Sequence, residues 1–250
     1  MKRKIAMGVN DFIRFFRGMG GRIGSNVLAG VHGQTNPQSI SFLRQLEKEV
    51  RQKSDLDCPL DKLEVVVFDI ETTGFHPERG DRIISIGAVK MKGSSLIEQE
   101  TFYSLIRSDS PLPPTISELT GIEDSQLSVA PDIADVLIRF FKFASSSILI
   151  AHHAKHELNF MQKATWEHTR TKFNHRIIDT SFLTRLFDPS AESLPLESIC
   201  EDCGVNIENR HNALGDALMT ARVWGIYLER AQAAGFKTLQ EVYAHLATLR

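Results

Sequence analysis

The chemistry of this chain starts with two acids that close an apolar run. From Leu63 to Gly74 the sequence reads L-E-V-V-V-F-D-I-E-T-T-G, and five of the six residues before Asp69 are apolar. Such a run, rich in β-branching and closed by Thr-Thr-Gly, predicts a strand buried on both faces. Asp69 and Glu71 are two apart, so their carboxylates leave the strand on the same side. Two acids at the end of a core strand are costly to desolvate unless something positive joins them. A divalent cation with oxygen ligands meets that need. Taken alone, a D-x-E pair is more often a solvated strand end. The T-T-G that follows, and two later stretches, weigh for a metal.

The first of those stretches is A-H-H-A-K-H-E-L-N-F-M, residues 151–161, where a strand gives way to a helix. Glu157 lies one turn before Phe160 and can point back towards the strand ends. His152 and His156 are four apart, a zinc-like spacing, but H-E is followed by L-N-F instead of x-x-H. Histidines at the surface or facing a substrate, His152 among them, are the simpler expectation. The second stretch is N-R-H-N-A-L-G-D-A-L-M-T-A-R, residues 209–222. Asn212 can cap a helix, which puts His211 on the preceding loop and Asp216 in the second turn. A helical Asp that faces a sheet also asks for a cation.

The elements that must position these residues follow from periodicity. Arg82–Met91 and Leu96–Ile106 predict two further strands, joined at Lys92-Gly93-Ser94, so a three-stranded antiparallel meander opens the domain. A helix from Pro131, a short strand over 147–151, a helix over about 154–166 and a short strand over 177–180 come next, and helices dominate after that. Strands in sequence and then alternation with helices predict a mixed sheet with helices packed on it. Upstream, Asn36-Pro37 opens a helix that runs to about Lys53. The glycine-rich stretch before it reads as irregular, with Phe12, Ile13, Phe15 and Phe16 on an amphipathic turn or two.

Of 250 residues, 42% are hydrophobic and 24% charged, the composition of a soluble globular protein, and the net charge is −2. The charge is unevenly placed. Ten basic residues face three acidic ones up to Lys53, a net of +7, which leaves −9 for the remainder. A basic arm on an acidic body predicts that residues 1–53 meet nucleic acid, a protein partner or an anionic surface, while the body holds cations. The basic stretch Arg170, Lys172, His175 and Arg176 reads as a solvated loop or as a track for a nucleic-acid backbone. Cys58, Cys200 and Cys203 make no disulfide framework, and Cys200-Glu-Asp-Cys203 lacks a second Cys/His pair. No apolar run approaches the roughly 18 residues of a membrane span, and the expected location is cytoplasmic.

The set Asp69/Glu71 in F-D-I-E-T-T-G, Glu157 in A-H-H-A-K-H-E-L-N-F and His211/Asp216 in H-N-A-L-G-D-A resembles the DEDDh exonucleases, the DnaQ-like proofreading type. Gly121-Ile122 before Ala130-Pro131, and Ile178-Asp179-Thr180, add minor signatures. The likeness covers roughly residues 61–230. It departs from the family in the second motif: His153 and His156 stand where the family has Asn and Phe, and Glu157 stands where the family has its third acid, an Asp. The resemblance implies a ribonuclease-H-like α/β fold with a mixed five-stranded sheet flanked by helices. It also implies an exonuclease domain over 61–232, after a basic, partly helical extension with a linker over 1–60 and before a packed C-terminal helix over 233–250.

What the resemblance implies for mechanism is 3′–5′ removal of nucleoside 5′-monophosphates from single-stranded or frayed ends of DNA or RNA. Two divalent cations, Mg²⁺ or Mn²⁺, would be held by Asp69, Glu71, Glu157 and Asp216. His211 would take the proton from the attacking water, and Thr72 and Thr73 would grip the terminal nucleotide. The extra methylene of Glu157 moves its carboxylate by roughly 1.5 Å, so the expectation is activity that favours manganese. The rival expectations are a catalytically impaired nucleic-acid-binding module and an accessory subunit of a replication or repair complex. A D-x-D-T phosphatase is set aside, because Glu71 stands at its second acid.

Overall fold

The computed structural model describes residues 37–52, 55–189 and 194–249. Residues 1–36 of the basic arm, with the expected amphipathic turn, lie outside them. The sheet has five strands: β1 (Glu64–Thr72), β2 (Ile83–Lys92), β3 (Ser95–Leu105), β4 (Ile148–Ala151) and β5 (Ile177–Asp179), in the order β3-β2-β1-β4-β5. β2 pairs antiparallel with β1 and with β3, and β4 runs parallel to β1 and to β5. The expected meander and the mixed sheet are both present.

Alternation along β1 divides the molecule into two cores. Val66, Phe68 and Ile70 face one side, where α1 (Pro37–Gln52), α4 (Ile133–Ala144) and α5 (Lys155–Thr169) add Leu43, Leu46, Phe140, Phe141, Phe160 and Met161. Between β3 and α4 lie two short helices, α2 (Pro114–Thr120) and α3 (Asp124–Ser128). Val65 and Val67 face the other side, towards a core shared by α6 (Ser181–Thr184), α7 (Leu196–Cys203), α8 (Ala213–Ala233) and α9 (Leu239–Thr248). By the same period of two, Asp69 and Glu71 leave β1 on the α8 side. The strand ladder therefore decides which helix can complete the site.

α8 lies close on the sheet because both surfaces are pared down. Gly87 on β2 is the partner of Asp69 across the ladder. A Cβ on it would come within 2.2 Å of the Leu214 amide nitrogen and 2.3 Å of the Ala213 carbonyl carbon. Further along α8, a Cβ on Gly225 would come within 2.4 Å of the Ser94 carbonyl oxygen. The helix starts where Asn212 accepts hydrogen bonds from the Leu214 and Gly215 amides at 3.1 and 3.2 Å, which satisfies two otherwise orphaned donors.

The stretch 170–176 does not track towards the acids. α5 begins beside the carboxyl ends of the parallel strands, and its 15 residues carry the chain about 22 Å away. Arg170, in a left-handed conformation (φ 55°), ends the helix there. His175 is a core residue: it is buried, its Nε2 donates to the Ser145 carbonyl at 2.6 Å, and its ring stacks on Phe141. Cys200 is buried on α7, in the second core.

Candidate active site

Three of the four acids converge. Asp69 and Glu71 from β1 and Asp216 from the first turn of α8, not the second as expected, each place a carboxylate oxygen within 4.8 Å of the others. Glu157, in the first turn of α5, stands just outside that group but close enough to act on it. Its charge and that of Asp69 oppose each other, as do those of Glu157 and Glu71. Its Oε2 is buried with no hydrogen-bond partner, and so is Oδ1 of Asp216.

Burial is the main cause of the shifted acidities here, with mutual repulsion second. Asp69 is pushed well above the usual carboxylate range by burial, then by Glu71, Glu157 and Asp216. Burial, with Asp216 beside it, raises Glu71 to about 8. Asp216 rises to about 6 through burial, held back by Arg210. Carboxylates that resist ionising together, with two oxygens lacking any donor, fit divalent cations: hard cations take oxygen ligands and remove the repulsion.

The polar residues around the acids have divided roles. His211, in a left-handed loop conformation (φ 62°), has its amide donating to Asp216 Oδ2 at 3.3 Å. Burial, then the neighbouring Arg210, lowers its imidazole pKa, so the ring is neutral near pH 7 and can accept a proton. Both nitrogens of His152 are taken up inside the fold. Nε2 donates to the Leu194 carbonyl at 3.1 Å, which leaves Nδ1 to accept from Thr180 Oγ1 at 2.8 Å. That ring holds the 194 loop and has no nitrogen left for a substrate. His156 lies against Phe160 and Phe75, with Nε2 3.4 Å from Thr72 Oγ1. Burial lowers both His152 and His156 to about 4. No histidine joins the metal-competent group found among the described residues.

Thr72 and Thr73 shape the turn at the end of β1. Thr72 Oγ1 donates to the Gly74 carbonyl at 2.7 Å. The Thr73 amide donates to the Arg82 carbonyl at 3.0 Å, and its hydroxyl accepts from the Arg82 amide at 3.1 Å. The Thr73 amide is therefore not free to grip a nucleotide, the role the resemblance implied for it. Asp179 ties the parts together, accepting from the Ala154 amide at 2.7 Å and the Ser181 amide at 2.8 Å. Sequence reasoning missed Arg210 and Glu197. Arg210 Nε donates to Glu197 Oε1 at 2.7 Å and its Nη1 donates to Asp216 Oδ2. The one available signal was an Arg inside an otherwise acid-centred motif.

A sheet ordered 3-2-1-4-5, with acids converging at the end of its central strand and on a helix laid over it, defines a ribonuclease-H-like nuclease architecture. Residues 66–224 match the family described as exonuclease, of the RNase T type. The chain belongs to that family. A DNA polymerase III subunit epsilon-like protein of Rhodobacter capsulatus is 35% identical over 200 residues, 78% of this chain and 28% of the relative. A PolC-type DNA polymerase III of Bacillus subtilis is 34% identical over 178 residues, 71% of this chain and 12% of the relative. The chain thus spans only a minor part of these curated relatives. Among solved structures, the nuclease domain of 3′hExo, described as a DEDDh family member bound to rAMP, superposes with TM-score 0.58 at 21% identity. That match covers 69% of this chain and 92% of that one. Exonuclease X in complex with 5′ overhanging duplex DNA gives 0.55 at 19% identity, covering 67% and 93%. These two likenesses carry the fold.

Proposed function

We propose that the chain hydrolyses phosphodiester bonds from the 3′ end of single-stranded or frayed DNA or RNA. It would use two divalent cations, Mg²⁺ or Mn²⁺, and release nucleoside 5′-monophosphates. One observation carries the reading: the oxygens of Asp69, Glu71 and Asp216, from two elements far apart in sequence, lie within 4.8 Å of one another. Asp69, Glu71 and Asp216 would hold one cation, with Asp69 shared, and Glu157 would serve the other. When bound, such ions neutralise the charge that builds on the phosphate, acidify a water and assist the leaving oxygen.

The chain's own residues do the rest. His211, neutral near pH 7 because it is buried beside Arg210, takes the proton from the attacking water, a role typically worth 10²–10⁴ in rate. Its backbone amide donates to Asp216 Oδ2, which links the loop carrying the base to a metal ligand. Thr72 and the turn to Gly74 shape the seat of the terminal nucleotide, and His152 is assigned no substrate contact. The names of the longer relatives favour DNA and a replication complex for this chain's setting. The test is hydrolysis of 3′- and 5′-labelled DNA and RNA strands with Mg²⁺ or Mn²⁺. Shortening from the 3′ end supports the reading. Tight binding with no hydrolysis under any ion would replace it with a nucleic-acid-binding module.

A further inference from the structure

Arg210 precedes His211 on the loop before α8, and it holds a carboxylate the metal needs. Its guanidinium forks: Nε goes to Glu197 Oε1 at 2.7 Å and Nη1 to Asp216 Oδ2. Asp216 is almost fully buried, whereas Glu197, in the first turn of α7, is about a third exposed. One arm of the fork therefore reaches into the acid cluster, and the other is anchored on its rim. The other oxygen of Asp216 has no partner, and it is the same carboxylate that completes the group with Asp69 and Glu71. The guanidinium charge opposes the upward shifts of Asp69, Glu71 and Asp216 alike. A divalent ion placed among those oxygens would meet a fixed positive charge already bonded to one of its ligands.

We infer that Arg210 is a resident counter-cation of the acid cluster. It pairs with Asp216 while no metal is bound, and when a divalent cation takes that carboxylate it withdraws onto Glu197. This rests on the metal-dependent reading above and adds a residue to it. Arg210 is a positioning residue: it keeps a repulsive, metal-free cluster folded and sets how tightly metal must bind to displace it. The cost of removing it should then depend on metal. A purely structural Arg would contribute the same stability with or without metal, whereas a counter-cation contributes mainly without it. By linkage, whatever stability the pair gives the metal-free form is subtracted from metal affinity.

The test uses the full chain and its Arg210→Gln variant. Melting is followed in EDTA and in a Mn²⁺ titration, and bound Mn²⁺ is counted by the loss of its free EPR signal, with no nucleic acid present. R210Q is expected to bind Mn²⁺ about tenfold more tightly, equivalent to about 1.4 kcal/mol. Its midpoint in EDTA should fall by about 3–6 °C, and the deficit should close as Mn²⁺ saturates. Equal deficits in EDTA and Mn²⁺, with an unchanged Mn²⁺ affinity, would overturn the inference and leave the nuclease reading standing. A wild type that binds no Mn²⁺ would overturn both. If R210Q does not fold, Arg210→Lys carries the same test, because an ammonium cannot span both carboxylates as the planar fork does. Its affinity should shift the same way by about threefold, and no shift would overturn the inference.

Discussion

The most demanding consequence of the fold is that a single methyl group on β2 should disable the site from behind. Gly87 lies opposite Asp69, and a Cβ there would sit 2.2 Å from the Leu214 amide nitrogen and 2.5 Å from the Ala213 carbonyl oxygen. Ordinary contact begins at 3.4 Å, so in Gly87→Ala the first turn of α8 must retreat by about 1.2 Å. Backbone atoms, not a pliable side chain, meet the methyl, so the retreat carries His211 and Asp216 away from Asp69 together. Misplacement near 1 Å costs about 10²-fold in rate, and overpacking costs about 1–3 kcal/mol in stability. Gly225→Ala is the control. Its Cβ would meet the Ser94 carbonyl oxygen at 2.4 Å, on the same helix but about 18 Å further along. Both variants should melt earlier. Only G87A should lose about 10² in kcat per folded molecule on a labelled oligonucleotide. Full activity in folded G87A, or an equal loss in G225A, would refute the reasoning.

Three other outcomes follow from the site. Without metal, stability should fall as pH rises from 7 to 8.5. Glu71, raised to about 8 from 4.5, binds more protons folded than unfolded in that window, and the buried histidines, which unfold to a value near 6.5, no longer oppose it. The slope is up to about 1.4 kcal/mol per pH unit per proton, and saturating Mg²⁺ should flatten it. A midpoint in EDTA that rises across the window would contradict the burial argument. Glu157→Gln should separate stability from activity: removing a buried carboxylate whose Oε2 has no hydrogen-bond partner stabilises the metal-free form at pH 8, while metal-dependent hydrolysis falls about 10²-fold. An unchanged rate would remove Glu157 from the ligand set. Asn212→Ala should cost about 1 kcal/mol as the cap of α8 is lost, read as a lower urea midpoint, and an unchanged midpoint would show the cap to be redundant.

Much of this was legible in the sequence because local rules and global packing agree. The apolar run before Asp69 is buried on both faces as its composition requires, and β2 and β3 fall within a residue or so of the stretches that read as strands. Asn212 caps α8 as its type and place predict. The acids were readable because carboxylates at strand and helix ends conflict with burial unless a cation resolves the conflict. What could not be read were partners that only tertiary packing supplies. Nothing in A-H-H-A says that the Leu194 carbonyl and Thr180 will take both nitrogens of His152. His175 sits in a basic string, yet Phe141 and the Ser145 carbonyl bury it. Gly87 reads as an ordinary weak point in a strand until α8 is laid over it, and Arg210 is silent until Glu197 and Asp216 flank it.

The claim on which the rest depends is that the converging acids and His211 make a metal-dependent exonuclease acting from the 3′ end. The direct measurement is a time course on a single strand labelled at either end, with Mg²⁺ or Mn²⁺ and then with EDTA, for wild type and His211→Ala. The account predicts stepwise loss from the 3′ end with mononucleotide release, abolition by EDTA, and a 10²–10⁴-fold slower rate in H211A. Shortening from the 5′ end, hydrolysis that survives EDTA, or wild-type rates in H211A would contradict it.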